Sequence, residues 1–236
     1  MKLKDKVVLI TGATGGIGNV ICKRLAVEGA KVAMTSTNER LLLELVNDMK
    51  SLNPEVNVIY SVCDVTRESE VEQFIEKSKN SFGSFDLLIN LAGLSIPTNY
   101  ATITEDDYDK MMNVNLKGSL FTSKYFAKYA NNPSRIINTG SIAARVVNAN
   151  APVYCLVKTA VNKLSEGLLL QLGKQGIFVS TINPGGVDTR FWGERKVDRS
   201  KLMSADDVAD VYMFVAQLNS NIQLHCVDFE SVSKFI

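Results

Sequence analysis

Tyr154 and Lys158 stand four residues apart in a segment of helical periodicity running from about Ala151 to Lys174, so both project from one face of a helix. A cation beside a phenol favours the phenolate and lowers its pKa toward the working pH. Such a tyrosine can pass a proton to or from an oxygen of a bound molecule. Alone the pair is a weak signal, because a surface tyrosine packed on a lysine stem has the same spacing. Ser141 closes the β-branched run RIINTGS (135–141), where its hydroxyl could hold a carbonyl or an alcohol. A different chemistry is offered by Thr11-Gly12-Ala13-Thr14-Gly15-Gly16-Ile17-Gly18. Glycines there permit a tight turn and the close approach of a diphosphate, and the helix that follows presents free N–H groups and its positive end. No Gly-Lys-Ser/Thr follows, so this is not a P-loop. Asp64 follows a third apolar run and could accept a hydrogen bond from an adenine amino group, although an aspartate there also serves nearby backbone N–H groups.

The elements that must position these residues alternate along the chain. KVVLIT (6–11) reads as a strand buried on both faces, and residues 16–28 as a helix stopped by Gly29. KVAMT (31–35) is a second strand. Asn38 caps the helix ERLLLELVNDMKSL, and VNVIYSV (56–62) is a third strand. Thr66 is placed to cap a helix running to about Ser81, and FDLLIN (85–90) is a fourth strand. One long helix is expected from about Glu105 to Ala130, broken by Asn131, Asn132 and Pro133. Strands at 135–141 and 177–183, a helix near 204–218 and a last strand IQLHCVDF (222–229) complete the pattern. Uninterrupted βαβ units imply an α/β fold, a doubly wound and mostly parallel sheet of about seven strands with helices on both faces. No linker divides the chain, so residues 1–236 read as one domain. Residues 186–203 form the aperiodic stretch expected to be a substrate loop.

Composition excludes several classes. With 26 Lys plus Arg against 25 Asp plus Glu, the charge of +1 does not fit a general nucleic-acid coat or a basic membrane-surface protein. No apolar run approaches the roughly 18 residues that span a bilayer, and VVLI is too short for a signal peptide. Cys22, Cys63, Cys155 and Cys226 are scattered without a CxxC pair, which fits reduced, buried thiols in a cytoplasmic protein better than a disulfide or zinc scaffold. His225 is the single histidine, so a Ser-His-Asp triad would have to use it, and a His-based metal site is not expected.

Together these residues resemble the short-chain dehydrogenases/reductases, in their single-domain branch, over nearly the whole chain. Residues 11–18 match the family's TGxxxGxG motif, and Asp64-Val65 its adenine-contacting aspartate. Asn90-Leu91-Ala92-Gly93 matches NxAG, and Asn113-Val114-Asn115 the segment of the active-site asparagine. Ser141, Tyr154 and Lys158 complete its catalytic set. Asn183-Pro184-Gly185, with Val187 and Thr189, matches the stretch at the nicotinamide end. The resemblance implies a Rossmann-type fold that binds a nicotinamide dinucleotide and transfers a hydride between it and a carbonyl or secondary alcohol. It implies Tyr154 as general acid or base, Lys158 lowering its pKa and binding the nicotinamide ribose, Ser141 polarising the carbonyl, and Asn115 holding a water that links Lys158 to solvent. The implied cofactor contacts are Gly12, Thr14, Gly15, Gly16, Ile17, Gly18, Ser36, Thr37, Asp64, Val65, Asn90, Ala92, Gly93, Tyr154, Lys158, Pro184, Gly185, Val187 and Thr189. No metal is implied. A homodimer or homotetramer built on the helices near 105–130 and 152–173 is.

Family members that select NAD carry an acidic residue at the end of strand two. Here that position falls at Ser36-Thr37, whose hydroxyls leave room for a 2′-phosphate, so NADP(H) is expected over NAD(H). The basic residue often found in NADP users is missing, with Arg40 the nearest candidate. Many members end in a Gly-Gly after the last strand, whereas this chain ends CVDFESVSKFI. The alternatives are an NAD-dependent alcohol dehydrogenase of the same family and a catalytically silent dinucleotide-binding regulator. The second would be marked by loss of the tyrosine or the lysine, and both are present.

Overall fold

A computed structural model describes residues 2–235. The sheet has seven strands, β1 (Val7–Thr11), β2 (Lys31–Ser36), β3 (Val58–Val62), β4 (Phe85–Asn90), β5 (Ala130–Thr139), β6 (Ile177–Pro184) and β7 (Cys226–Phe229). All are parallel, in the order β3-β2-β1-β4-β5-β6-β7. Strands β1 and β4 are buried along their whole length, β1 as an apolar run and β4 with Asp86 accepting from Lys6 Nζ and the Val7 N–H. Successive residues of β1 serve opposite faces. Val8 and Ile10 join a core with the helices α1 (Gly16–Val27), α2 (Glu39–Leu52) and α7 (Ala205–Ala216). Val7 and Leu9 join a second core with α3 (Glu68–Phe82), α5 (Gly118–Ala127) and α6 (Pro152–Leu172). Between β1 and β4 the chain reverses its direction of growth, which opens a crevice at the strands' C-terminal ends, the place where open α/β sheets bind ligands.

Four expectations are corrected. The long helix is split: α4 (Glu105–Met112) passes into a π turn (Asn113–Lys117) before α5, and the extra residue turns Asn115 inward, where its amide donates to the carbonyls of Met111 and Leu94 at 2.8 and 2.9 Å. Thr66 is not a cap. Its N–H is taken by Asp64 Oδ1 at 2.9 Å, and α3 starts two residues later after Arg67. Strand β5 begins at Ala130, before the expected breakers, because Ala130 pairs with Phe85 across an irregularity between Phe85 and Leu87. Strand β7 is confined to its last four residues. Ahead of it, side chains replace the ladder: Gln223 Nε2 donates to the Val179 carbonyl at 2.7 Å and Ser180 Oγ to the Leu224 carbonyl at 2.6 Å.

The stretch from 186 to 203 is closed at its neck by a parallel bridge between Val187 and Met203. Within it are two 3-10 turns, Arg190–Trp192 and Arg199–Lys201. Trp192 Nε1 donates to the Val187 carbonyl at 2.8 Å, pinning the first turn to the neck. His225 has an exposed side chain and enters the sheet only through its carbonyl, which accepts from the Thr181 N–H. The four cysteines are free. Among the described residues no helix is long and apolar enough to cross a membrane, and no group of three His, Cys, Asp or Glu could hold a metal.

Candidate active site

Two adjoining lobes, each of about 730 Å³, share Gly12, Gly15, Leu91 and Gly93 and run along the C-terminal edge of the sheet. The first is lined by the ends of β2 and β3, including Thr35, Ser36, Thr37, Asp64 and Val65. The second holds the glycine turn, Ser141, Tyr154, Lys158 and the segment from Pro184 to Arg195.

The floor at their junction is made by backbone. Gly12 has φ of +66°, and a Cβ on it would lie 2.7 Å from the Ala92 nitrogen, so only glycine admits this approach of β1 and β4. Thr11 Oγ1 accepts the N–H groups of Leu91 and Ala92 at 3.2 Å, fixing the same junction. Helix α1 opens on Gly15 with no side-chain cap, so its first N–H groups face the second lobe uncovered. An elongated cleft with a helix N-terminus at its centre and a hydroxyl-lined and a tyrosine-bearing end fits a dinucleotide.

Around the tyrosine the chemistry is concentrated. Lys158 is 4% exposed, and its Nζ donates to the Thr139 carbonyl at 2.8 Å and lies 5.6 Å from the centre of the Tyr154 ring. Burial without a carboxylate pulls its pKa down to about 7. Tyr154 is pushed up to about 12 by burial, with a hydrogen bond from Ser141 and the charge of Arg195 pulling the other way. The expectation that Lys158 depresses the phenol is therefore not what governs it in the protein alone: burial prevails, and the opposing cation is Arg195. Ser141 is held from two sides. Its Oγ accepts the Ala143 N–H at 3.1 Å, and its own N–H goes to Asn183 Oδ1 at 2.9 Å. Asn115 is 1% exposed, and its Oδ1 has no protein partner. A Cβ on Gly93 would lie 2.8 Å from that oxygen and 3.6 Å from Lys158 Nζ, so the two polar atoms face one space, kept open because residue 93 has no side chain.

Most residues expected from the sequence meet at this cleft. Gly12, Thr14, Gly15, Gly16, Ile17, Gly18, Ala92, Gly93, Pro184, Gly185, Val187 and Thr189 line it or lie beside residues that do. Asn90 does not. Its side chain points into the sheet, donating to Asn138 Oδ1 at 2.8 Å and accepting from Thr122 Oγ1 at 2.7 Å, so its part is to hold β4 to β5 and α5. Arg40 is turned away from the first lobe and pairs with Glu44 at 2.6 Å. Asp64 lines the first lobe while its Oδ1 holds the Thr66 N–H. Arg145 is clasped to Asp228 at 3.0 Å. Sequence reasoning missed Leu91, shared by both lobes, and Glu230 and Lys234, which the C-terminal turn Val232–Lys234 brings to the rim of the second. The tail's departure from the Gly-Gly ending was the available signal.

Comparison with known proteins agrees with this geometry. The family model described as short chain dehydrogenase matches residues 6–200. An uncharacterized oxidoreductase of Staphylococcus saprophyticus is 35% identical over 98% of this chain and 100% of its own. Among solved structures, a short chain dehydrogenase from Burkholderia cenocepacia in complex with NADP is 28% identical, with a TM-score of 0.91 over 99% of this chain and 100% of its own. An alcohol dehydrogenase from the archaeon Thermococcus sibiricus, complexed with 5-hydroxy-NADP, is 25% identical, with a TM-score of 0.90 over 98% of both chains.

Proposed function

The chain belongs to the short-chain dehydrogenase family and is an NAD(P)-dependent oxidoreductase, and from that premise we propose that it reduces a carbonyl to a secondary alcohol with NADPH, Tyr154 giving the proton. The observation that carries this reading is the meeting of Ser141, Tyr154 and Lys158 in one lobe of the cleft. The chemistry a nicotinamide dinucleotide supplies when bound is hydride transfer to the carbonyl carbon. The residues that would hold it are the glycine turn, Ser36, Thr37, Asp64, Val65, Gly93, Lys158 and the segment from Pro184 to Thr189.

Tyr154, with its pKa raised to about 12, keeps its proton at neutral pH, the state a general acid needs. Ser141 donates a second hydrogen bond to the substrate oxygen, stabilising the charge that develops there. Lys158 has a pKa drawn down near 7 and exchanges protons near neutrality; with the buried Asn115 Oδ1 beside it, it returns a proton to Tyr154 after each turnover. The stretch 186–203 covers the substrate, Phe191 packing 6.1 Å from the Tyr154 ring.

Preference for NADP(H) over NAD(H) rests on strand β2, which ends on Ser36 rather than a carboxylate. Ser36 Oγ lies 2.6 Å from Thr14 Oγ1, and the two hydroxyls can turn to donate to a phosphate. The decisive experiment is a screen of ketones and aldehydes with each reduced cofactor, alongside Tyr154→Phe. Turnover with NADPH that falls at least about 100-fold in the variant while cofactor still binds is the expected result. Near-normal turnover by Tyr154→Phe would remove the tyrosine from this role.

A further inference from the structure

The loop over the second lobe carries two guanidinium groups, Arg190 and Arg195, that line the same cleft as Tyr154. Among the described residues neither has a carboxylate within ion-pair distance, whereas Arg199, farther along the loop and outside the cleft, is paired with Asp188. Glu230 is the carboxylate lining this lobe, and it is held by Lys234 at 2.6 Å.

Arg195 is fixed in place. Its Nε donates to the Trp192 carbonyl at 2.8 Å, and an Nη2 hydrogen goes to the Phe191 carbonyl. The guanidinium carbon sits 5.3 Å from the centre of the Phe191 ring and 5.0 Å from that of Trp192. Phe191 in turn packs against Tyr154, so a single ring separates the guanidinium from the phenol. Of the five N–H donors of an arginine, three remain unspent. Its charge reaches the reacting group, since it draws the Tyr154 pKa down against the effect of burial. A half-buried guanidinium, oriented by two carbonyls and two rings and lacking a counter-ion, is a ready receptor for a planar anion.

The geometry points to Arg195, assisted by Arg190, as the specificity-determining residue that binds an anionic group, carboxylate or phosphate, carried by the carbonyl substrate. This inference rests on the carbonyl-reduction reading and names the class of carbonyl. A loop arginine that merely braces Phe191 and Trp192 would make the same internal bonds, so the test must read anion preference rather than activity alone.

Straight-chain oxo acids of increasing carbonyl-to-carboxylate spacing are assayed beside their methyl esters, and dihydroxyacetone phosphate beside dihydroxyacetone, in the wild type, Arg195→Met and Arg195→Lys. At the best spacing the wild type should favour the anion over its neutral partner by about 10- to 100-fold in kcat/KM, the range of a charge-assisted hydrogen bond. Which pair shows it separates carboxylate from phosphate. The ratio should fall to near one in Arg195→Met and be partly kept in Arg195→Lys. Trp192 is the only tryptophan of the chain, so its fluorescence gives a second readout without turnover. The favoured anion should change it saturably, its neutral partner should not, and Arg195→Met should abolish the change. Equal turnover of anion and neutral partner with no anion-specific fluorescence change overturns the inference and leaves carbonyl reduction standing. An unchanged ratio in Arg195→Met also overturns it. Anion-specific fluorescence that depends on Arg195, with no carbonyl reduced, supports the anion site and sinks the reaction. Silence in both readouts overturns both.

Discussion

Lys158 is a buried amine beside the proposed general acid, and its replacement by methionine should stabilise the protein while destroying its activity. The side chain is 4% exposed, and burial lowers its pKa from 10.5 to about 7. Between those two values the unfolded chain binds more protons than the folded one, so stability rises with pH across that window and falls as the medium approaches neutrality. At roughly 1.4 kcal/mol per pH unit, keeping this group in the folded protein costs on the order of 4 kcal/mol at pH 7, of which about 3 kcal/mol is recovered by about pH 9.5. Methionine removes the charge, fills similar space and leaves the Thr139 carbonyl without its donor, a loss of about 1–2 kcal/mol. The variant should therefore be more stable than the wild type by about 2–3 kcal/mol near pH 7, roughly 5–10 °C in Tm for a chain of this size. That advantage should nearly vanish by about pH 9.5. Equilibrium unfolding in urea of both cofactor-free proteins, at the two pH values, measures this. Taking the difference between wild type and variant cancels the other groups that titrate in the range, the raised cysteines and tyrosines among them. A variant that is less stable at neutral pH, or a difference that does not move with pH, would refute the reasoning. Turnover should fall at least about 100-fold at both pH values.

Two further outcomes test the flanks of the site. Ser36→Asp places a carboxylate at the end of β2 beside Thr14, and should weaken NADPH by about 10- to 100-fold in KM while NADH improves; equal effects on both cofactors would remove Ser36 from the selection. Asp228→Asn removes the carboxylate that accepts from Asn183 Nδ2 at 2.7 Å, and Asn183 Oδ1 is what holds the Ser141 N–H. With Ser141 less firmly placed, kcat should fall about 10-fold with the cofactor KM unchanged, and a parallel loss in cofactor affinity would show general damage to the cleft instead.

What the sequence made legible follows from how local each signal is. Strand β4 is buried along its whole length, and Phe85 with Leu87, Leu88 and Ile89 marks it out although Asp86 interrupts the apolar run. The glycine turn, Ser141 and the tyrosine-lysine pair were readable because each is a short segment whose residue types are demanded by its own backbone or helix face. The π turn was not readable. Asn113–Lys117 continues the helical pattern of the residues around it, and what distinguishes the turn is a tertiary fact: Asn115 reaches the Leu94 carbonyl across the chain. The inward turn of the Asn90 side chain is hidden for a related reason, since polarity and a position at a strand's end suit a ligand contact and a buried cross-strand bond equally. Beyond the tail's unusual ending, nothing local marks Glu230 and Lys234, because the folding of the tail against the 186–203 loop brings them to the cleft.

The buried polar groups of the central strands explain why so open a cleft can hold its catalytic atoms steady. Asn90 binds Asn138, which donates onward to Ser165 at 2.9 Å, tying β4, β5 and α6. Asn183 and Asn162 exchange hydrogen bonds at 3.0 and 3.1 Å, tying β6 to α6. Thr139 is the meeting point: its hydroxyl donates to the Asn90 carbonyl at 2.5 Å and lies 2.7 Å from the Tyr212 hydroxyl, while its carbonyl receives Lys158. Helix α6 carries Tyr154 and Lys158, so the same bonds that satisfy these buried groups also fix the distance between the helix and the strand end that carries Ser141. In an apolar interior of equal shape the helix could slide by fractions of an ångström at little cost, whereas here any slide would leave buried amides unpaired. The polar interior thus gives up some hydrophobic stabilisation and gains a set geometry at the reacting phenol.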